Sequence, residues 1–339
     1  MKIIDFEEIE SSIRVEDLFE PIKQAFIDYS SPKLVGIPVS LLHFKDNADA
    51  HIKIAAINEY AYFSVKVATM FPTNSTKNLP INNGAIFLFD AKTGELKAIL
   101  NDKGLLTDMR TAATGALITD FLAPKNANSV AIIGTGYQAL RQVEALSKLR
   151  DNFSVQVYGR DFVKSKTLIK KLKTLCPQLN FKLAKTAEAA VKNCEIIITI
   201  TSSTEPIIKG KWLQKGQHIT ALGADDTFKN ELSQNVFDIA DHIYLDSLEL
   251  NTKYGEYRKA ITLKPNLINK TTEFGKVFQD LMYVANTNKI TVAKLVGVGI
   301  QDLAAATLVL NKLKNKNLIC QNTEGVHIIN QTKHVNFYI

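Results

Sequence analysis

Cysteine is scarce in this sequence and long apolar runs are missing, and each shortage argues against a class of protein. Its three cysteines, Cys176, Cys194 and Cys320, lie far apart and form no Cys-x-x-Cys pair, so neither a disulfide framework nor a zinc site is expected. No run of about 18 apolar residues is present to cross a membrane. The N-terminal residues carry acids early and lack the long apolar core of a signal peptide. We therefore expect a cytoplasmic protein without a metal site.

The excess of basic residues is modest. The 339 residues include 41 lysines and arginines and 34 aspartates and glutamates, a formal net charge of +7. The lysines are dispersed, and no basic run alternates with aromatic residues as in many nucleic-acid-binding surfaces. A basic surface that favours small anionic ligands is the better interpretation, so we expect no nucleic-acid or membrane partner. With 46% hydrophobic residues, a chain of this length can form two domains with their own cores.

The clearest motif is a glycine pair that follows an apolar run at residues 129–133. It reads Gly134-Thr135-Gly136-Tyr137-Gln138-Ala139. Gly134 permits a tight turn, Gly136 lets the backbone approach a pyrophosphate, and Ala139 lets the next helix pack closely. A second strand-like run at residues 154–158 follows where a βαβ unit needs one. The motif predicts a Rossmann unit in which residues 134–139 bind a dinucleotide, although a glycine pair alone also ends ordinary strands.

The end of the second predicted strand bears on the choice of cofactor. The sequence there is Tyr158-Gly159-Arg160-Asp161. An acid at this point would bind the ribose hydroxyls of NAD, whereas an arginine suits the extra phosphate of NADP. Gly159 stands where an acid is often found and Arg160 follows it, so NADP is predicted. Asp161 leaves NAD open, and it would also serve as the N-cap of the following helix.

Polar residues follow two buried parallel strands predicted at residues 195–200 and 217–222. Thr201 and Ser202 follow the first strand, at the sheet edge where an open α/β sheet binds its ligand. Asp225 follows the second and is placed to handle a proton, unless it is only a turn or N-cap aspartate. Gly299 belongs to a glycine-containing segment before the last predicted helix, Asp302 to Leu310, and this segment could close over the nicotinamide.

The pattern of apolar residues in the N-terminal part predicts one or two helices in about the first 30 residues, followed by a mixed or antiparallel sheet of about five strands. Lys53 and Lys66 interrupt apolar strands of this sheet, and each could either reach solvent or bind an anion. Further on, Thr107 is a plausible N-cap that would put Arg110 in the first turn of a helix. An anion bound at that helix start would use the guanidinium group and the free N–H groups together, but an exposed arginine is equally compatible.

Several stretches, in the right order along about residues 1–313, resemble the ornithine cyclodeaminase/mu-crystallin family. They are Arg110-Thr111-Ala112-Ala113, Gly134 to Ala139, Thr204 to Ile207, Gly223 to Asp225 with Glu231 and Leu232, and Gly299 to Ala305. The resemblance implies an α/β fold, with a Rossmann dinucleotide-binding domain at residues 124–295. It also implies a mixed α+β substrate-binding and dimerisation domain at residues 1–123 with 296–339, and hence a homodimer with its substrate between the domains.

The resemblance also implies roles for single residues. Arg110 matches the family's carboxylate-binding arginine, Lys66 its lysine, and Asp225 the acidic residue near the reacting amine. A further arginine, often found in the family around residues 38–42, is missing here. Lys53 or His43 would replace it, and Lys53 is preferred because it is a permanent cation.

The activity implied by the resemblance is ornithine cyclodeamination, in which ornithine gives proline and ammonia by internal hydride transfer with NADP or NAD. Asp225 and Lys66 would be catalytic, and Arg110, Lys66 and Lys53 would bind substrate. An NADPH-dependent imine reductase, acting on pyrroline-2-carboxylate or a similar compound, is the alternative favoured by Arg160. A non-catalytic binding protein like mu-crystallin is a third interpretation, which the presence of Lys66, Arg110 and Asp225 disfavours.

Overall fold

The computed structural model describes the backbone of residues 1–331 and the side chains of residues 1–315, so Cys320 lies outside the described side chains. The described strands form two sheets. The first sheet has seven strands: β1 (Lys2–Ile4), β2 (Leu34–Gly36), β3 (Val39–His43), β4 (Asp49–Ile57), β5 (Tyr62–Met70), β6 (Asn82–Asp90) and β7 (Leu96–Leu100). Their order is β1-β7-β6-β5-β4-β2, with β3 also paired to β4.

The first sheet is larger than the predicted five strands. The predicted strands correspond to β3–β7, and these pair antiparallel. Two strands were not predicted. β1 lies in the N-terminal region that was expected to be helical and pairs in parallel with β7, and β2 pairs with β4. Each of the two has only three residues, which is too short to show the alternation that identifies a strand.

The second sheet has eight strands: β8 (Ser129–Ile133), β9 (Ser154–Tyr158), β10 (Asn180–Leu183), β11 (Ile196–Thr199), β12 (His218–Ala221), β13 (His242–Leu245), β14 (Thr271–Glu273) and β15 (Thr291–Lys294). Their order is β10-β9-β8-β11-β12-β15-β13-β14, and all pairs are parallel. The central strands β8, β11 and β12 are almost wholly buried, as expected when helices cover both faces. The predicted α/β class is confirmed.

The helices are α1 (Phe6–Ser12), α2 (Phe19–Tyr29), α3 (Leu105–Leu122), α4 (Tyr137–Leu146), α5 (Phe162–Leu175), α6 (Ala187–Lys192), α7 (Gln234–Ile239), α8 (Leu248–Asn251), α9 (Tyr257–Leu263), α10 (Phe274–Gln279) and α11 (Gly299–Gln331). Short 3-10 helices cover Val15–Leu18, Pro72–Lys77, Gly210–Trp212 and Pro265–Lys270. α2, α3 and α11 pack together, and α11 also lies against β4 and β5. α3 contacts α4 and β12 as well, so it connects the two sheets.

The beginnings of two helices differ from the predictions. α3 begins at Leu105, not after Thr107, because Gly104 is its N-cap and the Asp102 carboxylate accepts a hydrogen bond from the Leu106 N–H at 2.8 Å. Arg110 therefore lies in the second turn, not in the first as predicted, and anion binding at this helix start stays a prediction. α11 begins three residues before the predicted Asp302 and is far longer than predicted.

Three further observations concern features that the sequence led us to expect or exclude. In residues 1–331, no helix combines the length and the apolar character needed to cross a membrane. Among residues 1–315, whose side chains are described, no group of three or more His, Cys, Asp or Glu side chains is arranged for a metal ion. Cys176 and Cys194 are buried free thiols.

Candidate active site

A cleft between the two sheets gathers many of the predicted site residues. It consists of two adjoining cavities, of about 310 Å³ and about 170 Å³. Both are lined by Lys53, Arg110 and Asp225. Lys66 lines the smaller cavity, and the larger one is also lined by Gln138, Thr201 and Ser202. The larger cavity thus joins the strand ends of the second sheet to the cationic residues of the first.

The glycine-rich turn has the geometry that a bound pyrophosphate requires. Gly134 has φ +131°, which L side chains rarely adopt, and a Cβ there would overlap the Ile200 carbonyl oxygen. Gly136 is the N-cap of α4, and a Cβ built there meets no atom within 4 Å. Open space at a helix start, next to N–H groups without intrahelical partners, fits a phosphate group. Ala139 is fully buried, so α4 packs closely as predicted.

The other residues of this turn make contacts within the protein. The Tyr137 hydroxyl accepts a hydrogen bond from Arg141 Nε at 2.8 Å, so its half-exposed ring lies along α4. Gln138 Nε2 donates to Asp108 Oδ1 at 2.8 Å and thereby links α4 to α3 beside the cleft. The Thr135 side chain lies against Gly159.

The three residues after β9, Gly159 to Asp161, differ in their surroundings. A Cβ at Gly159 would overlap the Thr135 side chain, so a larger residue there requires this side chain to move. Arg160 is exposed. Asp161 Oδ1 accepts hydrogen bonds from the Val163 and Lys164 N–H groups, at 2.8 and 3.1 Å, and caps α5.

Glu231 ties together the strand ends at the floor of the cleft. Its carboxylate accepts hydrogen bonds from Thr199 Oγ1, the Thr201 N–H and the Gly223 N–H, at 2.8, 2.6 and 2.7 Å. It is fully buried, and burial raises its pKa, while Lys294 acts in the opposite direction. The predicted residue Thr201 is therefore held at the cleft by a residue to which the sequence assigned no role.

Three buried cations form one wall of the cleft. Lys53 and Lys66 stand directly opposite each other on β4 and β5, and α3 brings Arg110 to the same place. Asp302, in the first turn of α11, pairs with Lys66 Nζ at 3.0 Å and with Arg110 Nε at 2.9 Å. Burial lowers the pKa of Lys66 to about 7, although Asp302 opposes this shift. The two residues predicted to bind a carboxylate are therefore together, around an acid that orients them.

Backbone carbonyls hold Lys53 at the edge of this wall. Lys53 Nζ donates to the Gly297 and Val296 carbonyl oxygens at 2.7 and 3.3 Å. A Cβ at Gly297 would lie 3.0 Å from this nitrogen, so a glycine permits the close approach. Gly299 lies elsewhere: a Cβ there would be 2.7 Å from the Ile54 carbonyl oxygen, which places this residue against β4. Of the two, Gly297 is the glycine that lines the cleft.

Asp225 faces these cations and has a cation of its own. Its carboxylate accepts a hydrogen bond from Lys229 Nζ at 2.7 Å. Burial works against ionisation of Asp225, but Lys229 and His51 outweigh it and lower its pKa. Asp226 shapes the turn, since its Oδ1 accepts hydrogen bonds from the Phe228 and Lys229 N–H groups. The cleft thus has a cationic wall and, facing it, a carboxylate that stays ionised.

Sequence reasoning missed Asp302, Gln301, Lys229 and Glu231 as parts of this site. Gln301 Oε1 accepts a hydrogen bond from Arg110 Nη1 at 2.7 Å, and Asp302 holds the other side of the same guanidinium group. A signal existed for Asp302, because it opens the otherwise apolar stretch Leu303-Ala304-Ala305-Ala306, where a buried acid needs a partner. Lys229 is separated from Asp225 by a turn and shows no comparable pattern.

The parallel sheet with its glycine-rich turn, together with the charged cleft beside it, defines an α/β enzyme of the dinucleotide-dependent class. The sequence model of the ornithine cyclodeaminase/mu-crystallin family matches residues 2–317, so the chain belongs to this family. The family predicted from the motifs is confirmed.

Relatives within the family differ in activity. An uncharacterized cyclodeaminase of Sinorhizobium fredii is 32% identical over 94% of this chain and 97% of its own length. An archaeal alanine dehydrogenase dimer with bound NAD has a TM-score of 0.84 and 28% identity, over 94% of this chain and 97% of that one. The Thermococcus litoralis Δ1-pyrroline-2-carboxylate reductase, in complex with NADH and L-proline, has a TM-score of 0.83 and 25% identity over 94% and 98%. These relatives support a nicotinamide cofactor and leave the reaction open.

Proposed function

We propose that this protein reduces the carbon–nitrogen double bond of a small α-imino acid, with a reduced nicotinamide dinucleotide as co-substrate. The observation that carries the proposal is the ionised, Lys229-paired Asp225 in the same cleft as three buried cations. A protonated α-imino acid has a negative carboxylate next to a positive nitrogen. Its two charges therefore match the two sides of this cleft.

The cationic wall is assigned to the substrate carboxylate. Lys53, Lys66 and Arg110 supply three basic groups, whereas Asp302 is the one acid that pairs with two of them. Buried basic groups in excess of their acid partners favour an anionic ligand, because uncompensated buried charge is costly. Arg110 and Lys66 would hold the carboxylate, and Lys53 would take the place of the arginine that relatives have around residues 38–42.

Asp225 is assigned to the imine nitrogen. An ionised carboxylate stabilises the positive charge that makes the imine carbon accept a hydride. The Lys229 ammonium group bound to Asp225 holds the pKa of this carboxyl group down, so Asp225 is better suited to carry a fixed negative charge than to take a proton from the δ-amine, as cyclodeamination would require. As the hydride adds to carbon, the double bond becomes a single bond and its electron pair moves to nitrogen, which then takes a proton from solvent.

The turn at residues 134–139 and the strand ends with Thr201 and Ser202 are assigned to the cofactor, which supplies the hydride when bound. We propose NADP(H) as the preferred form. Arg160 is exposed where the extra phosphate would lie, and the position before it is a glycine against which the Thr135 side chain packs, not the acid that would favour NAD. The solved relatives contain NAD or NADH, so this preference rests on Gly159 and Arg160 of this chain alone.

Cyclodeamination of ornithine is the second candidate, and Asp49 favours it. This carboxylate lines the smaller cavity, with His51 Nε2 at 3.6 Å, and could hold the distal ammonium group of a diamino acid. Asp225 would then act on the δ-amine, as the family resemblance implies. The difference between the reactions is the redox balance, because reduction consumes one cofactor per product and cyclodeamination consumes none.

The organisation of the chain is proposed on the same basis. Residues 1–123 with 296–339 would form the substrate-binding and dimerisation domain, and residues 124–295 the Rossmann domain. The last eight residues lie outside the described part of the chain. Likeness to the archaeal alanine dehydrogenase dimer supports a homodimer. A cytoplasmic location remains a prediction from the sequence.

The test is a substrate panel with product analysis. Pyrroline-2-carboxylate and open-chain α-imino acids are each combined with NADPH or NADH, and ornithine is combined with NADP or NAD. We expect consumption of NADPH, in equal amount to the amine formed, with at least one imine. Formation of proline from ornithine with only a trace of oxidised cofactor, and no imine reduction, would replace the proposal by the second candidate.

A further inference from the structure

A buried lysine lies directly beneath the turn that carries Asp225. Lys294 is the last residue of β15 and is fully buried. Its Nζ donates hydrogen bonds to the Ala224 carbonyl oxygen at 2.6 Å and to the Leu295 carbonyl oxygen at 2.7 Å. Because Ala224 immediately precedes Asp225, the position of this ammonium group is transmitted to the carboxylate in the cleft.

Other contacts hold the same turn on either side of Asp225. Glu231 accepts the Gly223 N–H at 2.7 Å, and the Gly255 N–H donates to the Asp226 carbonyl oxygen at 2.7 Å. A Cβ at Gly255 would lie 3.0 Å from Lys294 Cε and 2.8 Å from the Ala224 oxygen, so a larger residue there would crowd the lysine. The turn is therefore anchored by its backbone, and Lys294 supplies the anchor next to Asp225.

Three buried carboxyl groups surround Lys294, and they differ in their hydrogen bonds. Glu231 accepts three, from the groups described above. Asp246 accepts four, from the N–H groups of Ser247, Val296 and Gly297 and from Asn251 Nδ2. Glu256 accepts none from the residues that the structure describes, although it is only 3% exposed. The cation paired with it is Lys294, whose Nζ lies 3.7 Å from Oε2.

Burial raises the pKa of all three carboxyl groups, but Glu231 and Asp246 accept hydrogen bonds that favour their charged forms, so Glu256 is the member whose neutral form is least opposed. Burial raises its pKa to about 7, with Lys294 acting in the opposite direction and Glu231 adding to the rise. An ammonium group in contact with an ionised carboxylate would lie about 2.7–2.9 Å away. The observed 3.7 Å fits a neutral Glu256, with the ammonium group directed to the two carbonyl oxygens instead.

The remaining charged groups near α9 are engaged elsewhere. Arg258 donates to the Thr227 carbonyl oxygen, Asp238 of α7 pairs with Lys264, and Lys270 donates to the Asp238 and Ala240 carbonyl oxygens. The charges that face Glu256 are thus those of Lys294 and Glu231, and Lys294 also acts on Asp246.

We propose that Lys294 is a positioning residue for Asp225, and that the protonation state of Glu256 decides how firmly Lys294 holds the Ala224 carbonyl. This inference rests on the role proposed above for Asp225. With Glu256 neutral, the ammonium group binds the turn and Asp225 faces the cationic wall. When Glu256 ionises, it competes with the Ala224 carbonyl for the ammonium group, and the turn carrying Asp225 is held less firmly.

The first test compares the unaltered protein with Glu256→Gln, which has nearly the same shape but cannot ionise. The turnover number kcat is measured from about pH 6 to about pH 8.5 with any substrate the panel identifies, by either reaction. Dividing kcat of the unaltered protein by kcat of Glu256→Gln cancels ionisations of the substrate. We expect this quotient to fall several-fold with rising pH, because only the unaltered protein can ionise at position 256, and we expect KM to change little. A ratio that is constant across this range would overturn the inference.

A matched control is Glu195→Gln. Glu195 accepts hydrogen bonds from the Asn128 N–H and Ser129 Oγ at the opposite end of the second sheet. Its substitution should leave the pH profile of kcat unchanged even if it lowers the melting temperature. An equal change of profile in both variants would show that Glu256 acts only through general stability, which contradicts the inference.

The second test needs no substrate and so separates failure of this inference from failure of the proposed function. Crystal structures of the unaltered protein and of Glu256→Gln are compared at about pH 6 and about pH 8.5. At the higher pH we expect Lys294 Nζ to approach Glu256 to direct contact and to lengthen or lose its bond to the Ala224 oxygen, in the unaltered protein only. Unchanged Lys294 contacts at both pH values would refute the inference, whichever substrate is found.

Discussion

Lys53 and Lys66 face each other on neighbouring strands, and both are almost completely buried. Like charges in directly opposed positions of an antiparallel pair are destabilising, so this arrangement needs compensation. Asp302 supplies part of it through Lys66 and Arg110, and the Val296 and Gly297 carbonyl oxygens supply part through Lys53. In the proposed function, the carboxylate of the substrate would supply the rest of this compensation.

The first prediction concerns Asp302→Asn, which keeps the shape of the side chain and removes its charge. Loss of one partner of a buried ion pair leaves the other charges uncompensated, so the free energy of unfolding should fall by about 3–5 kcal/mol. Denaturant unfolding monitored by fluorescence measures this fall. A carboxylate ligand such as L-proline should recover part of the loss.

The control for this prediction is Glu95→Gln, at an exposed ion pair with Lys97 whose atoms are 2.6 Å apart. Such surface pairs contribute about 0–1 kcal/mol, so this variant should unfold almost as the unaltered protein does. Equal losses in the two variants would mean that Asp302 does not compensate the buried cations.

The second prediction is a pH dependence of carboxylate binding. Lys66 has a pKa lowered to about 7 by burial, so it is charged below this pH and loses its charge as the pH rises through it. The affinity for a carboxylate ligand should therefore be highest below about pH 7 and decrease above it. The dissociation constant, measured by calorimetry from about pH 6 to about pH 9, tests this.

Lys66→Arg is the informative variant, because arginine stays charged over this range. It should remove most of the pH dependence even if the affinity itself changes. If the affinity of this variant still decreases with rising pH, at the same midpoint pH as in the unaltered protein, then a group other than Lys66 causes the pH dependence.

The sequence predicted the parts of the site that depend on local pattern. Apolar runs that predict buried strands precede the turn at residues 134–139 and the residues Thr201, Ser202 and Asp225. In an open α/β sheet the ligand binds at the C-terminal ends of such strands, so residues that follow them are expected at the cleft. The cofactor roles of these residues stay predictions. Arg110 was found through its motif, but its helix start was misplaced because the cap came from Asp102 and Gly104, outside the usual pattern.

The missed residues depend on contacts between distant parts of the chain. Asp302 meets Arg110 across 192 positions and Lys66 across 236, and no spacing within either segment reveals that the three side chains share a site. The role of Lys294 is hidden in the same way. In the sequence it is one residue of a short apolar strand, and its contacts with Ala224 and Glu256 exist only in the folded protein. Charge compensation in a core is decided by packing, which a single sequence does not display.

The third prediction tests the cofactor. Arg160→Ala should weaken NADP(H) binding selectively, by about 1–3 kcal/mol, because one charge-assisted hydrogen bond to the extra phosphate is lost. NAD(H) lacks that phosphate and should bind as before. Dissociation constants for all four forms, measured by cofactor fluorescence or calorimetry, give the comparison.

Lys166→Ala, an exposed lysine further along α5, is the control for a general effect of surface charge. It should change NADP(H) binding much less than Arg160→Ala does. An NAD(H) preference in the unaltered protein would refute the assignment of Arg160.

The last prediction concerns Asp225→Asn, which keeps the size of the side chain and removes the negative charge that the lowered pKa maintains. If Asp225 stabilises a positive imine nitrogen, kcat for imine reduction should fall by about 10²–10³-fold, as when other preorganised electrostatic groups are removed. Cofactor binding should be unaffected, and stopped-flow kinetics should locate the loss in the hydride-transfer step. Asp226→Asn is the matched control, because an asparagine oxygen can accept the same Phe228 and Lys229 N–H groups that shape the turn. A small effect at Asp225 with a large one at Asp226 would mean that the turn itself, and not the charge facing the cationic wall, is what the reaction needs.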